Sequence, residues 1–212
     1  VVLPASVASV DQAVFEGSSV ASVEVADGNP DLSSYDGMLF DAEQTSLLLV
    51  PEGKQGAARV PSTAEVVDPS RFSHSAGVDA ISVEAGSAAF SSRNGCLYDA
   101  SGETLLRVPA GATDIEIADG CATVAAGSLE GCASLATIHA PASVTEVSPY
   151  ILRSAAATPE DIGASAVAAS MGIHLSEGSD SVPWQKAGFV IEGAKASVVS
   201  EMTSLEDGML IQ

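Results

Sequence analysis

The sequence predicts a strand-rich repeat solenoid that changes character towards its C-terminal end, and three observations carry that prediction. First, YDGMLFDAEQTSLLLVPEG (35–53) lies over RNGCLYDASGETLLRVPAG (93–111) at a constant offset of 58 residues, so that Gly37 meets Gly95, Leu39 meets Leu97, Asp41 meets Asp99 and Val50-Pro51 meets Val108-Pro109. Second, another unit recurs at an offset of 57: Pro4, Val10 and Phe15 fall on Pro61, Val67 and Phe72, and Phe72, Val78 and Ile81 fall on Leu129, Leu135 and Ile138. Its opening, PASVASV (4–10), returns once more as PASVTEV (141–147). Third, hydrophobic residues make up 46% of the 212 positions but aromatics only 4%, so small branched side chains must fill the interior. Elements this short cannot bury an apolar face alone, and stacking copies of one unit is how such chains build a core.

Two kinds of coil therefore alternate. One reads P-x-S-V-x-x-V-x(4)-F-x-G-x-x-x-L-x-x-I and the other D-G-x-L-Y-D-x(5)-L-L-x-V-P. In chain order, ASVEVA (21–26), SLLLVP (46–51), AISVEA (80–85), TLLRVP (104–109) and LATIHAP (135–141) are short apolar and β-branched runs bounded by Pro, Gly, Asn and Asp, the signature of strands between tight bends. Stacked coil on coil they predict a parallel sheet in which equivalent side chains, Leu47 with Leu105 and Phe15 with Phe72, share one continuous apolar stack. The repeats span residues 1–152. Over 153–212 the pattern changes: Thr158 as N-cap, Pro159 in the first turn, Glu160 and Asp161 at its positive end and Gly172 as a stop predict a helix over about 159–171. GIHLSEG and KAGFVIEGAKASVVSEM offer further strands. This segment is expected to cap the open end of the solenoid, with a small adjoining domain as the alternative.

Charge and motifs bound the function. Eight Lys and Arg against 28 Asp and Glu give a net charge of −20, which repels nucleic acid and anionic membrane surfaces. No apolar run approaches the roughly 20 residues of a membrane helix. The chain opens inside a repeat with neither a basic n-region nor an apolar h-region, leading to the expectation of a piece of a longer precursor. Cys96, Cys121 and Cys132 form an odd, sparse set with no C-x-x-C; a Cys121–Cys132 bridge is conceivable, and small buried thiols are the expectation. His74, His139 and His174 stand in separate segments and read as surface or satisfied imidazoles. Asp27, Asn29 and Asp31 have the spacing that opens a calcium loop, but Leu32 and Met38 stand where Gly and Glu are required, so Asx turns explain them better. Trp184 is expected to plug the core near the chain end, with a partner anchor as the alternative. There is no G-x-S-x-G, H-E-x-x-H or P-loop lysine, and no catalytic residue, metal ligand or cofactor is assigned.

SVASVDQAVFEGSSVASVEV (6–25), ATVAAGSLEGCASLATIHAPASVTEV (122–147) and the interleaved DGMLFDAEQTSLLLVPEG (36–53) resemble the BspA-like class of bacterial leucine-rich repeat proteins, whose pattern is similar to S-V-T-x-I-G-x-x-A-F-x-G-C-x-x-L-x-x-I-x-I-P. LEGCASLATIHAP is its nearest echo. Leu129 and Leu152 replace the aromatic kept at Phe15 and Phe72, and Gly131-Cys132 keeps the Gly-Cys pair that reads Gly17-Ser18 and Ser73-His74 elsewhere. On that alignment His74 takes the place of the family's cysteine. The resemblance implies an α/β repeat solenoid: a right-handed β-α superhelix with short helical turns outside. It also implies export or display on a bacterial cell surface, and adhesive binding rather than catalysis.

The expected role is thus a non-enzymatic module that binds a protein or glycan of host or neighbouring cells, with the negative charge favouring basic partners. A spacer displaying other domains of the precursor is the alternative from a different class. A hydrolase using surface carboxylates is a remote third.

Overall fold

The computed structural model describes residues 1–152, 172–187, 189–192, 195–198, 205–206 and 209–210. They form a β-solenoid of about six turns. Strand β1 (Val2–Leu3) pairs in parallel with β2 (Glu24–Val25), which closes the first long coil. A hairpin, β3 (Leu32–Tyr35) and β4 (Met38–Asp41), leads to a short coil holding β5 (Leu47–Leu49) and β6 (Gly56–Val60). The second long coil ends in β7 (Val78–Val83), parallel to β6. The motif then repeats: hairpin β8 (Phe90–Arg93) and β9 (Cys96–Asp99), then a short coil with β10 (Thr104–Arg107) and β11 (Asp114–Glu116). Two long coils follow, with β12 (Thr123–Val124) and β13 (Thr137–Ala140), then β14 (Glu146–Val147) and β15 (Gly172–Leu175). Helix α1 (Val182–Lys186) precedes the antiparallel β16 (Phe189–Glu192) and β17 (Lys195–Val198), and the pair β18 (Leu205–Glu206) and β19 (Met209–Leu210).

Two ladders climb the molecule in the register that the repeats dictate. Leu105, Val124 and Val147 align on one, and Ile115, Ile138 and Ile173 on the other. The second ladder is interrupted at each hairpin, and the hairpin tip fills the missing rung. Both tips are two-residue turns with positive φ at both positions, 52° and 74° at Asp36-Gly37 and 50° and 75° at Asn94-Gly95, the geometry that matches strand twist and favours Asp-Gly and Asn-Gly. Between β2 and β6, the Val23 amide donates to Gly37 O at 2.9 Å and the Arg59 amide to Asp36 Oδ2 at 2.8 Å. Between β7 and β11, the Ile81 amide donates to Gly95 O at 2.7 Å and Asn94 Nδ2 to Glu116 O at 3.1 Å. Lys54, only 6% exposed, ties the first tip down through Asp36 O at 2.5 Å and Asp36 Oδ2 at 3.0 Å.

The expected single apolar stack is not what forms. The inner strand of each hairpin crosses the interior and divides it. On β4, Leu39 packs with Val23, Leu32 and Leu49, whereas Met38 and Phe40 face Leu47, Val60, Phe72 and Ile81. On β9, Leu97 joins that middle core, and Cys96 and Tyr98 face the upper core of Leu105, Val124, Leu129 and Ile138. Leu47 and Leu105 therefore do equivalent work in different compartments, as do Phe15, half-buried against the first, and Phe72 in the second. A strand buried on both faces carries an unbroken apolar run, which is why Met38-Leu39-Phe40 and Cys96-Leu97-Tyr98 show no polar alternation.

Helix is nearly absent among the described residues, correcting the expected β-α superhelix. The first two long coils turn through four-residue 3-10 segments, Gln12–Phe15 and Pro69–Phe72, each capped by an Asp side chain accepting from the residue two ahead, and the third turns over 126–131 without a helical segment. The short coils have only residues 50–55 and 108–113 between their strands, and no helical turn forms there. The helix expected over 159–171 lies outside the described residues. No described helix is long and apolar enough to cross a membrane.

Each hairpin hands over to its short coil through one aspartate. Asp41 Oδ1 accepts from the Thr45 amide at 2.7 Å and the Ser46 amide at 3.0 Å, and Oδ2 from Thr45 Oγ1 at 2.5 Å. Asp99, its counterpart, accepts from the Thr104 amide at 3.1 Å and Ser101 Oγ at 3.0 Å. Burial pushes both carboxyls up, but these hydrogen bonds outweigh it and leave both below the ordinary carboxylate value. Their contribution is complete above the unfolded Asp pKa of about 4 and is lost as pH falls through the lowered folded value. Asp41→Ala is expected to cost about 2 kcal/mol at neutral pH, with the deficit shrinking towards zero in acid below the folded pKa. Thermal unfolding of wild type and variant across pH 2–7 checks it; a deficit independent of pH would rule the carboxylate out.

Candidate binding face

The interrupted ladder has one side in the core and the other in solvent, because alternate side chains of a strand point opposite ways. Its exposed side chains include Glu24 on β2, Arg59 on β6, Asp79 on β7, Asp114 and Glu116 on β11 and His139 on β13. Asp79 is pushed out by a register shift: Gly56 pairs with Val78 and Ala57 with Ala80, leaving Asp79 opposite no partner. Arg59, Arg93 and Lys186 are exposed cations, Arg71 is half-buried, and Lys54 and Arg107 are buried. The face is thus strongly negative, and its spacing is set by strand registers rather than by mobile loops.

At the C-terminal end of this face the register brings together two residues that the sequence reading kept apart. Glu116, His139 and His174 lie side by side on β11, β13 and β15. The imidazoles of His139 and His174 stack with centroids 5.1 Å apart and planes inclined by 19°. His139 Nε2 lies 3.7 Å from Asp114 Oδ2, both half or more exposed, so the pair orients the ring more than it stabilises the fold. The signal was present: Ile138-His139 and Ile173-His174 repeat the dipeptide Ile-His at one strand position.

The remaining candidates sit elsewhere. All three cysteines are free and buried in the upper core. Burial pushes the Cys96 thiol up to about 12 and that of Cys132 to about 11, so neither is a ready nucleophile. Asn29 makes an Asx turn, Oδ1 accepting from the Asp31 and Leu32 amides at 2.9 Å each, while Nδ2 donates to Val7 O at 2.8 Å. Trp184 is 1% exposed and meets Phe189 edge-on at 5.8 Å, inside the upper core. His74 is exposed on the flank of the 3-10 turns, and it is not the residue in the family cysteine's place. Ser75 is: its Oγ donates to Pro51 O at 3.1 Å, as Cys132 Sγ contacts the equivalent Pro109 O at 3.6 Å. The alignment of Ser73-His74 was one residue out. Among the described residues no three His, Cys, Asp or Glu side chains are grouped to hold a metal ion.

Neither a family model nor a curated protein sequence matches the chain. Three solved structures are similar to it. The pneumococcal vaccine antigen PcpA superposes with a TM-score of 0.45 at 16% identity, over 69% of this chain and 34% of that one. A leucine-rich repeat protein of Eubacterium ventriosum gives 0.40 at 16% identity, over 69% and 41%. A leucine-rich cell surface protein of Faecalibacterium prausnitzii gives 0.37 at 18% identity, over 60% and 42%. The last two are bacterial leucine-rich proteins. The chain spans between about a third and two fifths of the length of each.

Proposed function

We propose that the chain is a non-enzymatic binding module of an exported or surface-displayed bacterial repeat protein, and that it takes a protein or glycan partner on the ladder face. One observation carries the reading: Glu24, Asp79, Asp114 and Glu116 are exposed on β2, β7 and β11 of the interrupted ladder, with Arg59 of β6 the one cation set between them, an extended surface of net negative charge. Carboxylates so arranged favour a basic partner, speed encounter and make it sensitive to ionic strength. Purified extracellular-matrix and bacterial surface proteins, basic and acidic, passed over the immobilised chain at low and high salt test this. Capture of basic members is expected to fall at least about ten-fold at high salt and to weaken in the Asp114→Asn, Glu116→Gln double variant. Capture indifferent to both salt and that variant would remove the ladder face from the function.

A further inference from the structure

The long coils carry extended turns on their flank, 3-10 over Gln12–Phe15 and Pro69–Phe72 and non-helical over 126–131, that the short coils lack, so each short coil leaves a gap between its long neighbours. The upper gap is closed. Gly131 lies so near the second long coil that a Cβ there would fall 1.9 Å from Ser73 O. Arg107, fully buried, fills the remaining space, donating from Nη1 to Gly127 O at 2.9 Å and from Nη2 to Glu130 O. In the lower gap the repeat offsets place Leu49 where Arg107 would be and His74 where Gly131 would be. Leu49 is too short to bridge the gap and His74 too large to let the coils close. A groove of about 330 Å³ remains.

Its lining is mixed. Phe15, Leu48, Leu49 and Val50 form an apolar wall, and Glu16, Glu52 and Glu130 stand against a single cation, Arg71, which is itself 3.9 Å from Asp68. Three buried polar atoms of the lining have no hydrogen-bond partner within the chain: Glu130 Oε2, Arg71 Nε and Ser73 Oγ, whose residue is only 9% exposed. Buried polar atoms normally find partners, and two of these, Glu130 Oε2 and Ser73 Oγ, can accept from a donor on a ligand, whereas Arg71 Nε is itself a donor and faces Asp68.

We infer that this groove binds a lysine or arginine side chain of a protein partner. The apolar wall receives the methylene stem, while the surplus of carboxylates, with Ser73 Oγ as a further acceptor, receives the cationic head. The inference rests on the binding-module reading only in taking the ligand from a protein; no lining residue belongs to the ladder face, so the two fail separately.

The test titrates the full chain with acetyl-Gly-Arg-Gly-amide and acetyl-Gly-Lys-Gly-amide, following the backbone amide shifts of Phe15, Leu49 and Ser73 by NMR. The neutral citrulline tripeptide and lactose are the comparison probes. Saturable shifts are expected with the cationic peptides, at least about ten-fold weaker with citrulline, and weakened about ten-fold by Glu130→Gln and by Glu52→Gln at an unchanged unfolding midpoint. The Asp114→Asn, Glu116→Gln variant is expected to bind as wild type. No saturable shift, equal binding of citrulline, preference for lactose, or indifference to both glutamine variants would each overturn the assignment.

Discussion

Replacing Tyr98 by alanine is expected to lower the unfolding free energy by about 3–5 kcal/mol, because the ring is fully buried on a strand that has core on both sides. Tyr98 does two jobs. Its ring packs in the upper compartment, and its hydroxyl oxygen accepts from the Ala118 amide at 3.0 Å, beyond the end of β11. Loss of that acceptor leaves a buried donor without a partner, costing about 1–3 kcal/mol. Tyr98→Phe isolates this second term, and the pair of variants apportions ring and hydroxyl. Phe40, the counterpart on β4, has a ring and no hydroxyl, so Phe40→Ala is expected to show the cavity cost alone. Urea unfolding with a common slope checks all three; Tyr98→Ala within about 1 kcal/mol of wild type would mean that β9 is no partition.

The second large effect falls on Gly131. It adopts φ +75°, and a Cβ there would overlap a backbone carbonyl that no side-chain rotation can move aside. Gly131→Ala is expected to cost about 1 kcal/mol for the left-handed backbone and a further 1–3 kcal/mol for forcing the two long coils apart. Gly120 provides the control, since its φ is +87° and a Cβ would meet nothing within 4 Å, so Gly120→Ala carries the backbone cost alone. Thermal midpoints should fall by roughly 2–4 °C per kcal/mol in a chain of this length. Equal shifts for the two alanines would show that the upper flank is not closed by contact between coils.

The coil plan was legible because repetition of sequence is repetition of packing. The runs at 21–26, 46–51, 80–85, 104–109 and 135–141 overlap β2, β5, β7, β10 and β13, and the Asp-Gly and Asn-Gly pairs mark both hairpin tips. The partition strands were not legible as such. Met-Leu-Phe and Cys-Leu-Tyr lack alternation, and periodicity cannot separate a strand buried on two faces from a short stretch of buried helix. Strands β6 and β11 escaped as well, since Gly-Ala-Ala-Arg-Val and Asp-Ile-Glu are short and weakly apolar. The candidate face was legible only as composition. That His139 and His174 touch depends on register across two coils, and the groove depends on which side chains two non-adjacent coils set against each other. Neither distance is written in one stretch of residues. The one-residue slip at Ser73-His74 is of another kind: the offset of 57 that carries Phe72 onto Leu129 already sets His74 on Gly131 and Ser75 on Cys132, and the contacts of Ser75 and Cys132 with Pro51 and Pro109 agree with it.

The crosswise strands β4 and β9 bear on how such a chain fails under load. With an undivided interior, a breach at one end would let water advance along its whole length. With Leu39 and Leu97 each backed by a separate set of apolar neighbours, an outer turn can detach while the next bulkhead stays sealed. Tension or shear applied at a terminus would then be dissipated in discrete yields, and relaxation would rebuild the lost turn on an intact template.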